Sequence, residues 1–159
     1  MTDKDLTLTL TRQIAASPMA VWRCWTEPEL LTQWFAPKPV VTSRAEIDAV
    51  PGGRFNTTME VPEHGTFADD GCVLVAEPGA RLVTTNMMTD GFQPKIIGTG
   101  EMDFAFVIDL TMTAHDGGCR YEVKVMHADR AGRDKHEAMG FHDGWGTATD
   151  QLAALAATL

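Results

Sequence analysis

A chain of 159 residues, 44% hydrophobic and 22% charged, has the length and composition of one globular domain with a buried core. Its formal net charge of −9 repels phosphate backbones and anionic lipid, and no cluster of Lys and Arg offsets it, so neither nucleic acid nor membrane is expected as a partner. Cys24, Cys72 and Cys119 have neither CxxC nor metal-type spacing and read as reduced thiols; with no apolar leader and no run of membrane-spanning length, a cytoplasmic location is expected.

In chain order, Leu6, Leu8 and Leu10 alternate with Thr7, Thr9 and Thr11, the period of a strand with one dry face. Ser17-Pro18 then places an N-cap before a proline at the first helical position, starting a helix that carries Val21, Trp22 and Trp25. Thr26 and Glu29 have the spacing of a capping box for a second short helix, which presents Leu30, Leu31, Trp34 and Phe35 before Pro37 and Pro39 stop it.

Residues 40–128 read almost wholly as strand and turn. A strand over 41–48 is followed by a turn at Pro51-Gly52-Gly53, and Phe55, Thr57, Met59 and Val61 share one face of the next strand. Segments 72–77 and 81–87 form a hairpin closed by Pro78-Gly79, and the glycine-rich 91–100 stretch reads as a loop. Met102, Phe104, Phe106, Ile108, Leu110 and Met112 then line one side of a strand that turns at Asp116-Gly117-Gly118. Its return puts Cys119, Tyr121, Val123, Val125 and His127 on one face. So half-wet a sheet needs a cover on its dry side.

The C-terminal segment supplies one. Ala138, Phe141, Trp145, Ala148, Leu152, Leu155 and Leu159 recur at helical spacing. A single helix from about 133 to 158 is expected, with Asp129 and Asp134 both able to cap its start, roughly 39 Å long at about 1.5 Å per residue. Gly140, Gly144 and Gly146 within it point to bending or close approach near Trp145. The fold class is thus α+β in a helix-grip order: a curved antiparallel sheet of roughly six to seven strands wrapped around a long C-terminal helix, with two short helices after the first strand.

With that order in view, Val21-Trp22-Arg23-Cys24-Trp25-Thr26-Glu27-Pro28-Glu29-Leu30-Leu31-Thr32-Gln33-Trp34-Phe35-Ala36-Pro37 resembles the opening of the heat-shock-protein ATPase activator homologue family. That family lies in the START-like, or SRPBCC, superfamily, which also holds polyketide cyclases. Pro51 to Phe55 resembles its glycine turn, and Gly140 to Trp145 with Gln151 to Leu155 resembles its C-terminal helix. The likeness spans nearly the whole chain and implies one START-like domain over 1–159. It also implies a deep cavity between sheet and helix, without naming the occupant. The eukaryotic activator carries a separate N-terminal chaperone-binding domain with no counterpart here, so the resemblance by itself makes a chaperone partner doubtful.

Trp34, Phe55, Met59, Met87, Phe104, Phe106, Met112, Tyr121, Phe141 and Trp145 are candidates to line such a cavity, though each serves equally as core. His127 shares a face with Tyr121 and could orient a ligand or carry a proton; a strand-end histidine held by hydrogen bonds fits as well. His142 stands beside the helix stripe, at a pocket mouth or on exposed surface. His136, six residues from it, falls on another helix face, and no HExxH or cysteine pair occurs, so no metal and no cofactor is expected. Neither a nucleophile elbow nor a phosphate loop is present. The expected function is therefore a binding or carrier protein for a small apolar ligand, aromatic or lipid-like. Two alternatives stay open: a cyclase, dehydratase or hydrolase using Tyr121, His127 and His142, and a chaperone-associated interaction module. Homodimerisation is compatible with the sequence, which marks no interface.

Overall fold

The computed structural model describes residues 3–100 and 102–159. A single turn of helix, α1 (Asp3–Leu6), leads into β1 (Thr7–Ile14), where Leu8, Leu10 and Ile14 are buried and Thr9 and Thr11 face out. The chain then enters α2 (Pro18–Thr26), where the Ser17 hydroxyl accepts the Ala20 N–H at 3.1 Å. The next helix, α3 (Pro28–Leu31), starts without the expected capping box. Thr26 is still the last residue of α2, and its hydroxyl donates back to the Trp22 carbonyl at 2.8 Å, so it has nothing left for α3.

Seven strands form one antiparallel sheet: β1, β2 (Val41–Ile47), β3 (Arg54–Val61), β4 (Gly65–Glu77), β5 (Arg81–Thr85), β8 (Phe106–His115) and β9 (Gly118–His127). Their spatial order is β1-β9-β8-β5-β4-β3-β2. Register slips by one residue between Thr42 and Arg44 and between Val73 and Val75, and bulges of this kind bend a sheet. The β8–β9 turn has Asp116 at φ 50° and Gly117 at φ 74°, the two left-handed residues of the tightest hairpin.

Strand boundaries differ from those read in the sequence: β2 ends at Ile47 and β5 at Thr85 rather than at 48 and 87, and three differences are larger. β4 reaches back to Gly65 rather than starting at Cys72, pairing fully with β3. The expected 91–100 loop contains a 3₁₀ turn at Asp90–Phe92 and the short β7 (Gln93–Pro94), which pairs with β6 (Met88–Thr89). β8 begins at Phe106, not Met102. The Asn86 side chain substitutes for a ladder partner there: its Nδ2 donates to the Phe104 carbonyl at 2.8 Å and its Oδ1 accepts from Phe106 N at 2.9 Å. Met102 and Phe104 consequently lie in an irregular segment between β7 and β8.

The single C-terminal helix expected over 133–158 is two helices, α4 (Arg130–Ala138) and α5 (Phe141–Ala156). Asp129 caps α4 by accepting the Gly132 N–H at 2.7 Å. Gly140, at φ 87°, breaks the run in a left-handed conformation, and its carbonyl then starts α5 by accepting from Gly144 N at 2.7 Å. Ala138, at the end of α4, and Leu159, beyond the end of α5, are exposed members of the expected stripe, whereas Phe141, Ala148 and Leu152 are buried. Gly146 marks a close approach, since a Cβ there would stand 3.1 Å from Arg12 Nη2. α5 packs on α2 and β1 over the inner side of the sheet, the helix-grip arrangement.

Candidate ligand-binding cavity

Sheet and helices do not close completely on one another. A cavity of about 630 Å³ remains between β3, β4, β5 and β8 on one side and α4–α5 on the other. Register explains its sheet wall. Phe55, Thr57 and Met59 of β3 face inward and pair with Gly71, Asp69 and Phe67 of β4, so those three share the face. Gly71 has no alternative, because a Cβ there would stand 2.6 Å from the Thr85 carbonyl oxygen. Thr84, Asn86, Phe106 and Ile108 continue the wall on β5, just beyond it, and on β8. The helical wall is Phe141, Gly144, Trp145 and Ala148, with His136 and Met139 from around α4. Trp34, Phe35 and Pro37 close one end, and Lys95, Ile96, Ile97, Met102 and Asp103 border the other parts.

Aromatic rings fix the closed end. Trp25 stands edge-on to Trp34 at 5.1 Å and stacks on Trp145 at 6.3 Å, while Phe35 meets Trp145 edge-on at 6.3 Å. The Trp34 indole N–H donates to the Cys24 carbonyl at 2.9 Å, leaving its apolar body to the cavity.

Of the twelve residues singled out in the sequence, Trp34, Phe55, Met59, Phe104, Phe106, Phe141 and Trp145 line this cavity. The other five stand elsewhere. Met112 and Tyr121, cross-strand partners, are buried in the packed core; the Tyr121 hydroxyl accepts from Trp25 Nε1 at 3.3 Å and burial raises its pKa. Met87, one residue past inward Asn86, is half-buried off the wall, and His142, next to buried Phe141, is exposed. His127 is buried behind the wall.

The residue that sequence reasoning put aside is His136. Its Nδ1 is 3.0 Å from His127 Nε2, and its Nε2 accepts the Trp145 indole N–H at 3.3 Å. His127 Nδ1 lies 2.8 Å from the Leu6 carbonyl. Hydrogen-bond polarity determines every proton. The carbonyl requires a proton on His127 Nδ1, so neutral His127 accepts at Nε2, and His136 must donate from Nδ1 and accept at Nε2. Burial lowers the pKa of His127, and burial with His127 alongside pushes His136 down to about 4, so both rings are neutral near pH 7.

Polar groups also interrupt the sheet wall. The Asp69 carboxylate projects from β4 toward Lys95, whose Nζ lies 3.5 Å from Oδ1 and donates to the Asp70 carbonyl. The Asp69 side chain is 49% exposed, and the desolvation that remains at the cavity border raises its pKa, with Lys95 opposing and Asp70 and Asp103 reinforcing. Among the described residues no group of three metal-ligating side chains occurs, and no helix is long and apolar enough to cross a membrane.

The whole-chain comparisons agree with this architecture. A structure of a Nitrosomonas europaea protein, 37% identical, superposes with a TM-score of 0.89 over 97% of this chain and 96% of that one. A Rhodobacter sphaeroides protein at 22% identity (TM-score 0.80; 98% and 94% covered) and a Mycobacterium smegmatis protein at 24% (TM-score 0.76; 97% and 92%) share the fold. A search of curated proteins finds no match. Residues 15–157 match the family model described as Activator of Hsp90 ATPase homolog 1-like protein, an interval that runs from the end of β1 through α5, and the chain belongs to that family.

Proposed function

We propose that this protein binds or carries a small apolar ligand, aromatic or lipid-like, between its sheet and α5. The observation that carries the reading is the cavity: about 630 Å³, within the range of small-molecule sites, with an aromatic end and few polar groups. Catalysis has less support. Tyr121, His127 and His142 are all absent from the cavity wall, and His136, which is on it, already has both ring nitrogens engaged. An interaction module would present an apolar patch away from any pocket. Of the exposed large apolar side chains, Phe67, Ile96, Met102 and Met139 belong to the cavity border, while Met19, Val41, Val50, Phe92 and Leu159 stand outside it.

Native mass spectrometry of protein purified from its own host should reveal a non-covalent adduct of small-molecule mass that denaturation removes. In parallel, the uncharged fluorophore N-phenyl-1-naphthylamine should brighten on binding. Met59→Trp, which pushes bulk into the space, should weaken that binding by about tenfold, or about 1.4 kcal/mol. Absence of fluorophore binding to the wild-type protein would refute the proposal.

A further inference from the structure

A carboxylate on a largely apolar strand face can receive a ligand's donor group where it reaches a cavity. Asp69 does so at the cavity's open border, where its side chain is 49% exposed. It lies directly across from Thr57 in the β3–β4 register, on the face shared with Phe55, Met59 and Phe67. Its ion-pair partner among the described residues, Lys95, sits at 3.5 Å and directs a hydrogen bond to the Asp70 carbonyl, so the carboxylate is incompletely engaged. Two further polar groups share the wall. Thr57 and Thr84 are 7% and 3% exposed, line the cavity, and their hydroxyls have no hydrogen-bond partner among the described residues.

The charges bordering the space are Asp69, Asp103 and Lys95, a surplus of one negative charge, with no arginine on the wall and His136 neutral near pH 7. A ligand carboxylate, sulfonate or phosphate would meet that surplus without a cation to receive it. A ligand ammonium or hydroxyl would find acceptors. We infer that the cavity selects amphiphiles whose apolar body lies toward Trp34, Phe35 and Trp145 and whose donor head, cationic or neutral, is received by Asp69 with its cross-strand neighbour Thr57.

This inference rests on the binding reading above and adds the class of ligand to it. The experiment is displacement of N-phenyl-1-naphthylamine from the full chain by decylamine, decanol and decanoate, all below their micelle-forming concentrations. Decylamine is expected to compete about tenfold better than decanoate, with decanol between them. Asp69→Asn should bring amine and carboxylate within about twofold, each read as a ratio to that variant's own fluorophore affinity. Lys95→Met, which removes the internal competitor for the carboxylate, should widen the wild-type preference. Fluorophore binding with equal displacement by amine and carboxylate overturns the inference alone, as does a preference that survives Asp69→Asn. No fluorophore binding to the wild-type chain overturns the cavity reading and this inference with it.

Discussion

His136→Gln offers a direct test of the hydrogen-bond chain from Trp145 to Leu6. Glutamine retains a donor for His127 Nε2 and an acceptor for the Trp145 indole, but it does not titrate. In the wild-type protein His136 is held down to about 4, whereas an unfolded chain would titrate it near 6.5. Above pH about 6.5 both states hold the ring neutral, and it adds nothing to the pH dependence. As pH falls below that, the unfolded chain takes up a proton that the folded one resists. Stability is therefore lost between pH about 6.5 and about 4, and the loss levels off below. At about 1.36 kcal/mol per pH unit, this window sets a ceiling of about 3 kcal/mol.

The assay is urea unfolding followed by tryptophan fluorescence for both proteins at a series of pH values, with linear extrapolation to water. Carboxylate titrations common to both proteins cancel in the difference. His136→Gln should start less stable or equal at pH 7 and gain on the wild type as the medium is acidified, by about 2 to 3 kcal/mol at pH 4. Stability curves that run parallel over that window would refute the neutral, desolvated state assigned to His136.

Gly140→Ala puts a Cβ on a left-handed residue where nothing else obstructs it, so the cost should be conformational only: about 1 to 2 kcal/mol in urea unfolding, with fluorophore binding intact. Leu152→Ala empties a fully buried position of α5 and should cost about 2 to 5 kcal/mol, measured the same way. Cys24, Cys72 and Cys119 are all buried, and desolvation pushes the Cys24 thiol up to about 11, so a disulfide reagent should label none of the three in the native protein and all three in denaturant.

Local pattern and long-range geometry contributed differently to this protein. The alternation of β1, β3, β8 and β9, the Ser17-Pro18 helix start and the Asp116-Gly117 turn were legible in the sequence because each is decided within a few residues. The family resemblance completed the order. The break at Gly140 was only half legible: a glycine run signals weakness in a helix, but whether the chain bends or snaps depends on what each half packs against. The start of β4 was hidden because Asp69 interrupts the apolar alternation of Phe67, Gly71 and Val73 that would have marked an inner face. His136 was hidden for a related reason. Judged as part of one continuous helix with His142 it faces elsewhere, and only the Gly140 break swings α5 so that Trp145 reaches it. Sequence by itself thus determined the elements and the apolar supply, which follow from short-range periodicity. Which polar groups enter the cavity was decided by strand register and by the angle between two helices, and neither is encoded in any single stretch of chain.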